Sequence, residues 1–183
     1  MNGAPMAFPR AVAIIQARMQ STRLPGKSLL PLSGRPLIAH VIERSRMIDG
    51  VCAVVLAIPD GEGGGLERAG REAGAEIFKG SADDVLDRYY QAMKLFNADY
   101  VVRVTGDNPF TDPGHASDTL GRALRLSADL CAPSDLPLGT AVEVIKAAAL
   151  ERAWIEAGEP HHREHVSPFI KEHPERFSIE RFE

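Results

Sequence analysis

AVAIIQARMQSTRLPGKSLLPLSGRPLI, residues 11–38, decides how the rest of the chain is read. Ala11 to Ile15 is a continuous apolar run with β-branched members, the pattern of a strand buried on both faces. The run passes directly into a segment carrying Arg18, Ser21, Thr22, Arg23, Gly26 and Lys27, and Pro36 then opens a helical pattern. A buried strand that delivers cations, hydroxyls and backbone N–H groups to a helix is how α/β proteins grip phosphate. The stretch therefore predicts an anion site beyond the first strand. It is not a P-loop ending at Gly26-Lys27-Ser28. That motif needs a glycine five positions before Gly26, where Ser21 stands, and its cradle does not accommodate Leu24-Pro25.

The charge distribution agrees. The net charge is −4, yet residues 1–46 hold seven Lys or Arg against the single acid Glu43, so this part stands at +6 and the remainder at −10. A basic first third on an acidic chain argues for a local anion site and against a nucleic-acid partner, which needs a broader basic face. At 183 residues, 44% hydrophobic and 25% charged, the chain is expected to be one soluble globular domain without internal repeats. Residues 1–10, with Gly3, Pro5 and Pro9, read as a loose leader ahead of a domain over 11–183. The apolar run Ala11–Ile15 is too short for a signal segment or a membrane span, so no membrane association and a cytoplasmic location are expected. Cys52 and Cys131 lie in apolar strand-like runs and read as buried, reduced thiols.

Further strands are predicted at Val51–Ile58, Ala75–Phe78 and Tyr100–Val104, with later ones at Ala128–Cys131, Ala141–Ile145 and Phe177–Phe182. Leu37, Ile38, Val41 and Ile42 keep helical spacing behind Pro36. Val85, Leu86, Tyr89, Tyr90 and Met93 do the same behind Ser81-Ala82-Asp83-Asp84, which offers an N-cap and first-turn acids. Helices are also predicted from Pro113 to about Leu126, over Ala147–Ala157, and as one element over His161–His173. Gly61-Glu62-Gly63-Gly64-Gly65 reads as a mobile surface turn with no evident partner. Alternating strands and helices imply an α/β fold with a mostly parallel sheet flanked by helices on both sides. Ligands of such sheets sit beyond the carboxyl ends of the strands, where residues 16–27 and 105–112 both fall.

Five segments carry residues suited to chemistry. In the first loop Arg18, Arg23 and Lys27 supply three cations, and Ser21 and Thr22 supply hydroxyl and backbone donors for a triphosphate and its leaving pyrophosphate. Thr105-Gly106-Asp107-Asn108-Pro109 places a carboxylate at the sheet edge, the hard oxygen ligand that Mg²⁺ on a triphosphate requires. The alternative for Asp107 is an Asx-turn that merely caps the loop, and Asp112 before Pro113 reads as a helix N-cap. Ser81 and Asp83 either face a nucleotide or cap the helix that follows. Glu143, on the apolar strand after Pro137-Leu138-Gly139, needs a partner if buried. A sugar hydroxyl, a basic side chain such as Arg163, or a plain structural ion pair would each serve. Finally, His161-His162-Arg163-Glu164-His165 matches H-x-x-E-H, in which His161 and His165 would bind Zn²⁺ with Glu164 as base.

The Q-A-R, S-T-R-L-P-G-K and L-x-G-x-P-L-I elements of residues 16–38 resemble the cytidylyltransferases that activate acidic sugars with CTP, in particular the branch named for spore coat polysaccharide biosynthesis protein F. Residues 80–90, the G-D-x-P loop within 103–113, the P-x-G-x-x-V-E segment 137–144 and the R-E-H-V-S-P-F-I run 163–170 follow in the same order. The resemblance implies a single-domain nucleotide-diphospho-sugar transferase fold of GT-A type, a mostly parallel mixed sheet flanked by helices. It implies transfer of CMP from CTP to a sugar or sugar acid, with Mg²⁺ as cofactor and a homodimer as the common assembly. It places Arg18, Lys27 and Asp107 in catalysis, with Asp107 also on the metal. Gln16, Ala17, Arg18, Ser21, Arg23, Lys27, Ser81, Asp83 and Gly106 would bind the nucleotide. Asn108, Glu143, Arg163 and His165 would line the sugar site.

Similar proteins continue into a strand and a D-x-x-x-D-like turn whose carboxylate completes the metal site. No such motif follows Arg181-Phe182-Glu183, so this end of the family pattern is expected to be missing from the sequence. Three other functions stay open on the residues: a nucleotidyltransferase using another NTP, a nucleotide- or nucleotide-sugar-binding protein without turnover, and the zinc hydrolase.

Overall fold

Ala11, Ala13 and Ile15 face one hydrophobic core while Val12 and Ile14 face another, so the first strand, β1 (Ala11–Gln16), is apolar throughout because both of its faces are covered. The computed structural model describes residues 9–20, 24–62 and 64–183. The expected leader lies outside the described residues except for Pro9 and Arg10, and Arg10 is tied down by its N–H, which donates to Asp99 Oδ2 at 2.7 Å.

After β1 come a short hairpin, β2 (Pro31–Leu32) and β3 (Arg35–Pro36), then α1 (Leu37–Arg46), β4 (Val51–Pro59), α2 (Gly65–Glu72) and β5 (Glu76–Gly80). The middle of the chain supplies α3 (Val85–Leu95), β6 (Tyr100–Thr105), α4 (Pro113–Leu126) and β7 (Leu130–Pro133). The last part is β8 (Glu143–Lys146), α5 (Ala147–Glu156), α6 (Pro160–His165), α7 (Pro168–Glu172) and β9 (Ile179–Phe182). Seven strands form one sheet in the order β5-β4-β1-β6-β8-β7-β9. All neighbours are parallel except β8, which runs antiparallel to both β6 and β7. This is the mostly parallel mixed sheet, flanked by helices, that the sequence predicts.

One face of the sheet packs on α1, α2 and α4 through Ile38, Ile42, Leu66 and Leu120, among others. The other packs on α3, α5 and α7 through Leu86, Tyr89, Leu150 and Phe169. Tyr89 is fully buried, with its hydroxyl 3.0 Å from the carbonyls of Ile14 and Val104, and burial pushes its phenol up to about 12. Two predicted caps form. Asp84 Oδ1 accepts from the Asp87 N–H at 2.8 Å, and Asp112 Oδ1 accepts from His115 N–H at 3.1 Å. Among the described residues no helix is long and apolar enough to cross a membrane.

Four expectations are corrected. The segment 161–173 is two helices, because Val166 adopts φ 71° and breaks the path ahead of Pro168. Cys52 is exposed while Cys131 is buried. The cause is register: β5 pairs only with Val55–Pro59, so the start of β4 projects past its neighbour. Pro36 is the N-cap of α1, extended at ψ 138°, one residue outside the helix it was expected to begin. The glycine run is followed at once by α2, whose Leu66 is fully buried, so it is a helix entry as well as a turn.

Candidate active site

β1 and β6 are parallel neighbours, with Gln16 opposite Thr105, and the loops that leave their carboxyl ends therefore meet. The contact is close: the Gly106 N–H donates to the Gln16 carbonyl at 2.7 Å. A Cβ at position 106 would lie 2.7 Å from that oxygen and 2.8 Å from Ala17 Cβ, so only glycine lets the two backbones approach. The first loop closes through Gly26, at φ 71°, whose N–H donates to the Met19 carbonyl at 2.8 Å. Lys27 is thereby carried across to form an ion pair with Asp107. Burial raises the Asp107 carboxyl, but the hydrogen bond and charge of Lys27 outweigh it and hold the group below the usual carboxylate range.

A cavity of about 250 Å³ opens beside this pair, and its lining includes the site candidates Gln16, Ala17, Arg18, Lys27, Gly106, Asp107, Glu164 and His165. Arg18 is exposed and has no ion-pair partner among the described residues. Buried side-chain atoms without a partner among the described residues concentrate here: Gln16 Oε1, Arg88 Nε and Arg103 Nε all belong to lining residues. Unsatisfied buried polar groups are costly, and three of them in lining residues mark this wall as one whose polar network is not closed by the described side chains. Arg88 is only 2% exposed, and burial pushes its guanidinium down from its usual value.

A second cavity of about 450 Å³ lies on the far side of Arg103, which lines both. Asn108 and Glu143 line it, together with Lys171 and Arg181. Glu143 is 15% exposed and sits between Arg103, at 2.9 Å, and Lys171. Burial raises its carboxyl, and the two cations more than reverse that. The loop 106–112 is tied to this region by the Asp112 N–H, which donates to the Thr140 carbonyl at 2.9 Å.

Some expected residues stand elsewhere. Arg163 is not the partner of Glu143: its Nε donates to Asp84 Oδ2 at 2.7 Å and its Nη1 to the Trp154 carbonyl at 2.8 Å, so it braces α3 against α5. The Ser81 hydroxyl accepts from the Asp84 N–H at 3.0 Å, Asp83 is exposed, and neither lines the two cavities. Ser21 and Arg23 lie outside the described residues. His161 and His165 do not converge, since His161 meets Glu172 while His165 lines the first cavity.

Sequence reasoning missed Arg88, Arg103, Lys171 and Glu62. Arg88 and Arg103 had a signal, a charge inside an otherwise apolar helix face or strand; Lys171 had none. Glu62, in the glycine run, accepts from the Met19 N–H at 2.6 Å and the Gln20 N–H at 3.4 Å, so that run has a partner after all. For a metal, the Asp107 carboxylate is ionised, partly exposed and on the cavity wall. Mg²⁺ on a triphosphate takes one or two carboxylates and completes its shell with phosphate and water, and this donor meets that minimal requirement.

Comparison with known proteins gives the family and the fold. Residues 12–182 match the family described as Cytidylyltransferase. The chain is 34% identical over 173 residues to the spore coat polysaccharide biosynthesis protein SpsF of Bacillus subtilis, covering 91% of this chain and 72% of that protein. It is 41% identical over 118 residues to a 3-deoxy-manno-octulosonate cytidylyltransferase of Anaeromyxobacter, covering 63% of this chain and 47% of that enzyme. Among solved structures, a cytidylyltransferase from Leptospira borgpetersenii superposes with a TM-score of 0.88 at 28% identity, covering 96% of this chain and 76% of that one.

Proposed function

The chain belongs to the cytidylyltransferase family, and from that premise we propose that it transfers CMP from CTP to a hydroxyl of an acidic sugar, releasing pyrophosphate. The observation that carries the reading is the meeting of Lys27 and Asp107 across two loops, beside Arg18 and a cavity walled by unsatisfied polar atoms. The sugar oxygen forms a bond to the α-phosphorus, the bond from that phosphorus to the β-bridging oxygen breaks, and the electron pair leaves with pyrophosphate. The hydroxyl proton passes to solvent.

Arg18 and Lys27, with Arg23 and Ser21 of the same loop, bind the triphosphate and neutralise the charge that grows on the leaving group. Gln16, Ala17 and Gly106 hold the nucleotide against the sheet edge, with Arg88 supplying a buried cation beneath it. Asp107 would hold Mg²⁺; bound there, the ion supplies charge neutralisation on the triphosphate oxygens. Ser81 and Asp83 shape the helix entry next to the nucleotide. The second cavity takes the sugar, with Asn108 for its hydroxyls, and His165 acts from the wall of the first. Its acidic character follows from charge: Arg103, Lys171 and Arg181 outnumber Glu143, and cations in a confined pocket select a carboxylate. Arg163 acts at a distance, through Asp84 and α3. The proposed setting is the cytoplasm, where the product would serve surface polysaccharide synthesis, and the proposed assembly is a homodimer.

Pyrophosphate release from CTP, assayed with a panel of sugar acids and their neutral counterparts, tests the proposal. Release that requires CTP, Mg²⁺ and an acidic acceptor supports it. Release with neutral sugars alone overturns the acceptor class, and CTP binding without release for any acceptor favours a binding protein without turnover.

A further inference from the structure

α6 and α7 meet through an unusual turn. Val166 has φ 71° and ψ −58°, and the Ser167 N–H donates to the His165 carbonyl at 2.8 Å, which together make a γ-turn of the rare positive-φ kind. A β-branched residue is strained there, and Val166 is held in it by full burial. The turn folds α7 back along α6 so that Glu172 reaches the first residues of α6. His161 Nε2 lies 3.0 Å from Glu172 Oε1, and His162 Nε2 lies 2.8 Å from Glu172 Oε2. One ligand atom from each of the three residues falls within 4.8 Å of the others, and the imidazole centroids are 4.0 Å apart. Neighbouring residues of a helix ordinarily point about 100° apart, so two adjacent rings converging on one carboxylate is a specific arrangement.

We propose that His161, His162 and Glu172 form a binding site for a borderline divalent transition ion, with Zn²⁺ as the type, separate from the nucleotide cavity. Two imidazoles and a carboxylate are the three-ligand set of open zinc sites, in which water fills the fourth position. Imidazole donors select such ions over Mg²⁺ and Ca²⁺, which prefer oxygen. One ligand is fixed in advance: the His162 side chain is 7% exposed and packs edge-on against Phe169 at 5.3 Å. The other two, 51% and 48% exposed, open to solvent and give the ion its entry path. Ligation through His162 Nε2 puts the ring proton on Nδ1, which is buried and without a partner among the described residues. That cost limits the affinity, so the site loads from added metal instead of retaining it through purification. A bound ion clamps α6 to α7 across the strained turn. The same two helices carry His165 to the first cavity and Lys171 to the second.

The test uses the full chain without a histidine tag, titrated with ZnCl₂ near neutral pH by calorimetry and followed by thermal unfolding. One saturable equivalent of Zn²⁺ and a rise in unfolding temperature are expected, with no competition from Mg²⁺. His161→Ala and Glu172→Gln, both at exposed positions, should each weaken binding by at least about tenfold. A nucleotide-induced thermal shift retained in both variants shows that they remain folded. No saturable binding overturns the proposal. Binding unchanged in both variants also overturns it, because the ion then sits on other residues, and so does equal competition by Mg²⁺.

Discussion

The Lys27–Asp107 pair and the Arg103–Glu143–Lys171 cluster stand at the same edge of the sheet, but they are built on opposite terms. Lys27 and Asp107 are 27% and 40% exposed, each the other's partner, and they border a cavity whose lining residues Gln16, Arg88 and Arg103 each keep one side-chain atom without a partner among the described residues. Glu143 is held by two cations at once and is nearly closed off from water. An exposed pair contributes little to stability and can be exchanged for a ligand. A largely buried carboxylate between two cations is hard to break, because Glu143 or Arg103 left alone is a charge mostly closed off from water. The first arrangement waits for a ligand to complete it; in the second the protein's own ion pairs fix the geometry, and the surplus positive charge is what remains for a ligand. The consequence is that changes at the two places should separate binding from folding.

The largest effect is expected at Glu143. Glu143→Ala leaves Arg103 without its partner and should cost about 3 kcal/mol of stability in urea unfolding; a loss no larger than that of a surface pair would erase the contrast. The pH dependence has a definite sign. Burial raises the Glu143 carboxyl, the charges of Arg103 and Lys171 outweigh it, and the folded value ends up below the ordinary one. Its stabilisation is therefore present above the unfolded pKa of about 4.3 and is lost as pH falls through the folded value. Glu143→Gln should flatten that acid limb of the stability curve, which denaturation across the acid range reads directly.

Next come Lys27→Ala and Arg18→Ala. Each should weaken CTP binding about ten- to a hundredfold, the ~1.5–3 kcal/mol of a hydrogen bond to a charged group, while stability moves by less than about 1 kcal/mol. Titration calorimetry and urea unfolding on the same variants check both halves. Asp107→Asn should leave binding of metal-free CTP within a few-fold and abolish its enhancement by Mg²⁺. A full Mg²⁺ response in this variant would remove Asp107 from the metal. The smallest change is expected for Glu62→Gln, which keeps an acceptor for the Met19 N–H and removes a negative charge from the phosphate loop. CTP affinity should rise about two- to fivefold, the scale of a partly exposed charge, and weaker binding would mean that the charge organises the loop.

The parallel part of the fold was legible because burial on both faces forces continuous apolar runs: β1, β4 and β6 are read to within a residue, as is α4. So was the placement of both loops at the carboxyl edge of the sheet; that they meet depends on the pairing of β1 with β6, which no strand sequence announces. Less of the second half was legible. The break at Val166 leaves no mark beyond Pro168, since nothing in a valine announces a positive φ. The sequence left the partner of Glu143 open between a sugar hydroxyl, a cation such as Arg163 and a structural ion pair, and the structure gives the ion pair, with Arg103 and Lys171. Arg163 and Lys171 are both cations in a helical segment, and only the turn between α6 and α7 decides which one faces β8. Arg88 and Arg103 could have been found, as charges that interrupt buried apolar faces, and Glu62 could not, because its role depends on where β4 ends relative to the loop after β1.

The measurement closest to the central claim is a thermal-shift series with CTP, UTP, GTP, ATP and dTTP, each with and without Mg²⁺, on the wild-type chain and Lys27→Ala. A ligand at a hundred times its Kd adds about 2.7 kcal/mol of stability. The account predicts a shift led by CTP, larger with Mg²⁺ and sharply reduced in Lys27→Ala. Equal shifts with every nucleotide, or a CTP shift that Lys27→Ala leaves intact, would contradict it.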